Sequence, residues 1–167
     1  AVAQVKHVEF DQEKAVSSIG STPQDIDNLV IDVTPKSANS KFYLTADLSL
    51  GSDGPHNYLS VFIRRTSPDE ANVSGYMQVA QEEWGYAQSH TISGYDSPNT
   101  TDPVQYKVSF VDTNNDGSSI FINKRNDGSE IYKSKLTLME ICEDGSVQIA
   151  GVPVVGGAVA QVEQAVF

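Results

Sequence analysis

The chain has 167 residues, and 22 acidic against 11 basic side chains leave a formal net charge of −11. This length suits one domain, which buries about 70% of the surface that its unfolded chain exposes and needs no disulfide or metal to form a core. The acidic balance argues against nucleic acid as a partner, because such binding relies on Lys and Arg neutralising phosphates. The single cysteine, Cys142, excludes an internal disulfide scaffold.

No stretch approaches the roughly 18 consecutive apolar residues of a transmembrane helix, and the first residues lack the pattern of a signal peptide. We therefore expect a soluble chain without membrane insertion. The basic residues form no patch. Arg64 with Arg65, and Lys133 with Lys135, are interpreted as solvated strand ends or strand faces.

Apolar and polar residues alternate with a period of two along much of the chain, which predicts antiparallel strands with one buried face. Residues 136–142 are apolar on both faces except at Glu140, which predicts a central strand. Phe62 and Val111 are apolar residues on otherwise polar strand faces, and we expect them to contribute to self-association. The alternating strands are predicted within residues 29–34, 42–50, 59–64 and 104–110.

Clusters of Gly, Asn, Asp and Pro separate these strands at short spacing, which indicates an all-β fold, an antiparallel β-sandwich of jelly-roll type. Residues 1–150 are predicted to form this single domain, and residues 151–167 a short C-terminal arm. The turn clusters are residues 51–55, 93–98, 114–117, 126–128 and 143–145.

The predicted arm is almost uncharged, and Gly156-Gly157 gives it a hinge. One interpretation is a final strand that packs on its own domain. The other is a docking arm, in which residues 152–155 add a strand to a neighbour and residues 159–166 form a short helix with an apolar stripe. The candidate assembly contacts are Val152, Val154, Val155, Val159, Val162, Val166 and Phe167.

Residues 112–117 resemble the opening of a calcium loop, since oxygen-bearing side chains alternate before a glycine. The twelfth position is Asn123 instead of a bidentate glutamate, so we interpret the segment as a hairpin turn.

The histidines His7, His56 and His90 have no metal-ligand spacing. We expect no metal, no cofactor and no catalytic residues, and enzyme activity, such as that of a jelly-roll hydrolase, is a minority interpretation.

Trp84 and Tyr86 follow the acidic pair Glu82-Glu83, and aromatic rings beside carboxylates are typical of lectin-like sites. With His56 and Asn57 they form the candidate sugar or receptor contact. The alternative is that these aromatic residues belong to the core at one end of the sandwich.

Four segments occur in an order that resembles a β-rich module of tail fibres and other virion proteins from marine and cyanobacterial tailed phages. They are the turn Thr-Pro-Lys-Ser-Ala-Asn-Ser-Lys41, the loop Tyr-Asp-Ser-Pro98 leading into Tyr-Lys-Val108, the strand Phe-Ile-Asn-Lys124, and the closing strand Thr-Leu-Met-Glu140. The resemblance covers about residues 5–141 by motif order. Compared with the module, the sequence continues to Phe167, and we expect the chain to be free-standing, without a preceding fibre shaft.

The resemblance implies a non-enzymatic structural protein on the surface of a tailed-phage virion, as a tail fibre, spike or capsid decoration protein. It also implies a homotrimer, with other virion proteins and host-surface glycans as further partners. A free carbohydrate-binding module is the alternative function, and a glycan array distinguishes the two.

Overall fold

The computed structural model describes residues 2–52, 59–79, 87–115, 117–124 and 132–142. Within these ranges the chain forms eleven strands and no helix, so none of the described residues belongs to a helix that could cross a membrane. The strands are β1 (Val2–Phe10), β2 (Lys14–Ile19), β3 (Gln24–Val33), β4 (Lys41–Ser52), β5 (Leu59–Ser67), β6 (Ala71–Asn72), β7 (Met77–Gln78), β8 (Gln88–Asp96), β9 (Val104–Asp112), β10 (Ser118–Ile122) and β11 (Ser134–Ile141).

The strands form two antiparallel sheets, which confirms the predicted all-β sandwich. Sheet A has the order β1-β11-β4-β10-β2, and β8 also pairs with β4. Sheet B has the order β3-β9-β5-β6, and β7 also pairs with β5. Strand β4 organises sheet A: β8 lies along one of its edges, while β11 and β10 follow one another along the other.

The core lies between the inner faces of the two sheets, as the alternation predicts. Each predicted apolar face is buried, because side chains two positions apart project from the same side of a strand. The prediction of a central strand is also confirmed, since β11 lies between β1 and β4. Side chains buried from both sheets include Phe42, Leu44, Leu50, Leu59, Ile63, Tyr106, Phe110, Leu136 and Leu138.

One turn prediction and one hairpin interpretation are wrong. Residues 93–96 belong to β8 and pair with β4. The turn at residues 114–117 is no hairpin, because β9 lies in sheet B and β10 in sheet A. Asn115 and Gly117 have positive φ angles of 55° and 81°, so they do reverse the chain. Turn residues indicate a reversal but not which sheet receives the next strand.

Phe62 and Val111 are not exposed, so the predicted contribution of these residues to self-association is wrong. Both are buried. Phe62 lies on the outer side of sheet B, where Tyr76 covers it at 4.7 Å between ring centroids in an edge-to-face arrangement. Strands β6 and β7 pair with β5, and Tyr76, which lies between them, removes Phe62 from the surface.

Arg64 and Arg65 are not solvated, contrary to prediction, because each forms an ion pair. Arg64 Nη2 lies 2.7 Å from Asp25 Oδ1. Burial opposes charge on Asp25, but hydrogen bonds from Ser109 and Arg64 outweigh it and lower the pKa of Asp25. Lys133 and Lys135 are exposed as predicted.

Candidate functional site

All the site residues predicted from sequence lie outside the described residues, so their predictions remain untested. For the sugar or receptor contact these are His56, Asn57, Trp84 and Tyr86. The same holds for the predicted arm, residues 151–167, with Val152, Val154, Val155, Val159, Val162, Val166 and Phe167.

The described strands next to these segments do meet at one end of sheet A. Strand β4 ends at Ser52, and β8 begins at Gln88, which pairs with Leu50. Strand β10 pairs with this same part of β4. We call this region the loop end, because in β-sandwiches the loops that bind ligands cluster at the ends of the sheets.

A pocket of about 310 Å³ opens at the loop end. Asp47 Oδ1 accepts a hydrogen bond of 2.8 Å from the hydroxyl of Thr91, which joins two of the pocket walls. Tyr132 is 39% exposed. The described residues that line the pocket are Asp47, Leu48 and Ser49 of β4, Ser89, His90 and Thr91 of β8, and Tyr132 and Lys133 before β11.

Lys133 and His90, two ionisable residues of the pocket lining, differ in environment. Lys133 Nζ lies 2.6 Å from Glu9 Oε1, and this hydrogen bond raises the pKa of Lys133. His90 lies partly buried next to Thr91, and its Nε2 has no hydrogen-bond partner among the described residues. Burial lowers the pKa of His90, so its neutral form is favoured.

A second surface lies at the opposite end of the outer face of sheet A. Cross-strand pairing aligns Val5 with Met139, Met139 with Tyr43, and Tyr43 with Tyr95. We call these four side chains the apolar row. Three of them are substantially exposed, with Val5 at 56%, Tyr43 at 45% and Tyr95 at 53%.

Polar residues of the four segments that resemble the phage module are structural anchors within the described fold. Asp96 of the Tyr-Asp-Ser-Pro loop accepts hydrogen bonds from Arg65 Nη1 at 2.7 Å and from the Tyr106 hydroxyl at 2.8 Å. Burial, together with Asp96, raises the pKa of Tyr106. Because β8 belongs to sheet A while Arg65 and Tyr106 belong to sheet B, this network joins the sheets.

Glu140, at the end of the Thr-Leu-Met-Glu motif, is a second anchor. It is fully buried. Its Oε1 accepts hydrogen bonds from the backbone N–H of Lys36 at 2.6 Å and the hydroxyl of Ser40 at 2.5 Å, while its Oε2 accepts one from Gln4 Nε2 at 2.5 Å. Glu140, the charged residue in an otherwise apolar strand, therefore fixes the turn between β3 and β4.

Asn123, of the Phe-Ile-Asn-Lys motif, is the third anchor. Its Nδ2 donates to the carbonyls of Phe10 and Gln12 at 2.7 and 2.9 Å, and its Oδ1 accepts from the Ser134 hydroxyl at 2.7 Å. Its backbone carbonyl also accepts from the N–H of Tyr132. Asn123 thus acts as a buried structural residue that positions the chain beside the pocket.

The segment that resembles a calcium loop begins at a buried aspartate. Asp112 Oδ1 accepts a hydrogen bond from the backbone N–H of Asn114 at 3.0 Å, as in an Asx turn. Within the ranges that the structure describes, no three His, Cys, Asp or Glu side chains cluster as metal ligands would. Asp116 lies outside those ranges.

No family model and no curated protein matches the chain. Similar solved structures include a sugar-binding protein, the EclA C-terminal domain, at 18% identity and a TM-score of 0.42, over 75% of this chain and 79% of that chain. Particles derived from infectious bursal virus match at 10% identity and 0.45, over 84% of this chain and 37% of theirs. Eiger TNF from S. frugiperda matches at 11% identity and 0.45, over 85% of this chain and 97% of its own.

Proposed function

We propose that the chain is a non-enzymatic structural protein on the surface of a tailed-phage virion, and that it assembles as a homotrimer through the outer face of sheet A. Its partners are further copies of itself and other virion proteins. The phage and trimer parts of this proposal rest on the motif resemblance. The assembly face rests on the apolar row.

The observation that carries the proposal is the composition of this face. The row next to the apolar row contains His7, Thr137, Thr45 and Ser93, and none of these eight side chains is a carboxylate. Copies that each carry a net charge of −11 repel one another. Two copies approach one another at the lowest electrostatic cost where acidic side chains are absent. This face is therefore a more favourable place for contact with a second copy than the other surfaces of the chain.

Tyr43 and Tyr95 are suited to anchoring such a contact. Tyrosine is enriched among the residues that dominate binding energy, because its ring buries a large apolar area while its hydroxyl finds a polar partner. The two rings occupy paired positions on β4 and β8. We expect each to contribute on the order of 1–2 kcal/mol to the contact.

The mass of the purified chain, measured by light scattering at micromolar concentration, tests this face. We expect the wild-type chain to have the mass of a trimer and the double variant Tyr43→Ser with Tyr95→Ser to have the mass of one chain. Tyr132→Ser is the matched control for the mass, since Tyr132 is 39% exposed and lies at the loop end, away from the apolar row. A wild-type mass of one chain, or a double variant that keeps the trimer mass, contradicts the proposal.

A further inference from the structure

We propose that the pocket at the loop end binds a neutral sugar of one or two rings, with Asp47 as the acceptor of sugar hydroxyl groups and Tyr132 as the stacking surface. This inference is independent of the virion location and of the apolar row. It assigns a binding role to residues different from those predicted on sequence grounds.

The size of the pocket limits the ligand. A volume of about 310 Å³ lies at the small end of the range for ligand pockets. The pocket can hold a small molecule but is too small to enclose a peptide or a long polymer. Because the pocket is open on the outer face of sheet A, a terminal sugar of a longer glycan can enter it while the remainder stays in solvent.

The chemistry of the walls points to a ligand with several hydroxyl groups. Ser49, Ser89 and Thr91 each carry a hydroxyl that both donates and accepts hydrogen bonds. A carboxylate accepts strongly from sugar hydroxyls. Of the Asp47 oxygens, Oδ1 accepts from Thr91, while Oδ2 has no partner among the described residues. Oδ2 is therefore available to a ligand.

The charges favour a neutral sugar over an anion. Among the described residues that line the pocket, Lys133 is the one lysine or arginine, and it already pairs with Glu9 at 2.6 Å. Asp47 in the same wall repels an anion, as does the net charge of −11. A phosphate or a sulfated sugar therefore binds less well than an uncharged one.

Tyr132 supplies the apolar contact that sugar sites require. One face of a pyranose ring carries C–H groups, which pack against an aromatic ring. The backbone N–H of Tyr132 donates to the carbonyl of Asn123 at 2.9 Å, and Asn123 is fully buried. This bond fixes the tyrosine backbone before a ligand arrives, which reduces the entropy lost on binding.

Titration of the full chain with methyl glycosides of glucose, galactose, mannose and fucose, followed by NMR, tests the site. We expect at least one of them to shift the backbone amide signals of residues 47–49, 89–91 and 132–133, with a dissociation constant in the millimolar range. Asp47→Asn keeps the shape of the side chain and should weaken binding about tenfold. Tyr132→Ser should abolish it.

Asp102→Asn is the matched control, because Asp102 is exposed and lies outside the pocket. It should bind like the wild type, and unchanged spectra elsewhere should show that each variant is folded. The proposal is overturned if none of the four glycosides shifts these signals at about 50 mM, if Asp47→Asn binds equally well, or if inorganic phosphate binds more tightly than every glycoside. A monomeric chain that still binds sugar contradicts only the proposed assembly.

Discussion

Replacing Asn123 by alanine removes a buried anchor and should strongly destabilise the chain. The change removes three side-chain hydrogen bonds, which connect Asn123 to the Phe10 and Gln12 carbonyls and the Ser134 hydroxyl. The Gln12 carbonyl is near solvent and can bond to water. The Phe10 carbonyl loses a donor and the buried O–H of Ser134 loses its acceptor, although the Ser134 oxygen still accepts from the backbone N–H of Ser49 at 3.1 Å. Each unsatisfied buried donor or acceptor costs about 1–3 kcal/mol. We therefore expect the loss of these hydrogen bonds to lower the free energy of unfolding by about 4 kcal/mol.

The backbone of Asn123 adds a further cost, because its φ angle is 61°. Alanine is disfavoured in this left-handed region by roughly 1–2 kcal/mol. Asn99 has a φ of 53° and is exposed, and no hydrogen bond of its side chain is found in the described structure. Asn99→Ala is therefore the matched control that measures the backbone cost alone.

Urea unfolding followed by circular dichroism gives the free energies of unfolding of all three chains. Asn123→Ala should lose about 4 kcal/mol more than Asn99→Ala, a large part of the 5–15 kcal/mol typical of a domain. A difference below about 1 kcal/mol would refute the reasoning, because the buried carbonyl and hydroxyl would then have found other partners.

Four further predictions concern packing, pH, ions and the arm. Gly94→Ala places a methyl group 2.7 Å from the carbonyl oxygen of Val73; it should cost about 1–3 kcal/mol in unfolding free energy, and an unchanged value would contradict the close approach of the sheets. Burial lowers the folded-state pKa of His90, so stability should fall as pH drops below about 6.5, the pKa of histidine in the unfolded chain. His90→Asn should reduce this loss when the melting temperature is measured against pH. Equal losses of melting temperature below this pH in the variant and the wild type would contradict the prediction. Calcium or a chelator should leave the melting temperature within about 1 °C, since the loop at Asp112 lacks the twelfth-position glutamate, and a rise of several degrees would indicate a bound ion. The docking-arm interpretation predicts that deleting residues 151–167 leaves a folded domain that no longer joins its trimer; a deleted chain that stays trimeric through the apolar row would reject that interpretation, and aggregation or unfolding would assign the segment to the core.

The sequence predicts the strands whose alternation is regular and misses those where it is not. Strand β4 alternates without interruption over 42–50, and its inner face is buried as expected. Strand β1 has a register shift between Val2 and Gln4, which disturbs its period of two. Strands β6 and β7 have two residues each, too few for any pattern. Which of the two sheets each strand joins depends on long-range pairing, and local periodicity carries no information about it.

The candidate surfaces were only partly visible in the sequence. Tyr43 and Tyr95 occupy outer-face positions of β4 and β8, and the alternation of β4 places Tyr43 on the solvent-facing side. Their alignment with Val5 and Met139 depends on the order of strands in sheet A. In the same way, Asp47 and Tyr132 are 85 residues apart in numbering, and only the fold brings them to one pocket.

Some charged residues that the sequence suggests are solvated are buried in the structure. Arg65 looks solvated in the sequence, and Glu140 looks like an interruption, because both are charged. Each is buried with hydrogen-bonding partners far away in the chain, Arg65 with Asp96 and Glu140 with Ser40. A charged side chain is buried only when such partners satisfy it, and tertiary structure alone identifies them.

A reconstruction of the intact phage particle tests the proposed function most directly. We predict density for this sandwich on the outer surface of the virion, with the apolar row of each copy, including Tyr43 and Tyr95, against a neighbouring copy. Absence of the chain from the particle, or copies whose apolar rows all face solvent, would contradict the proposal.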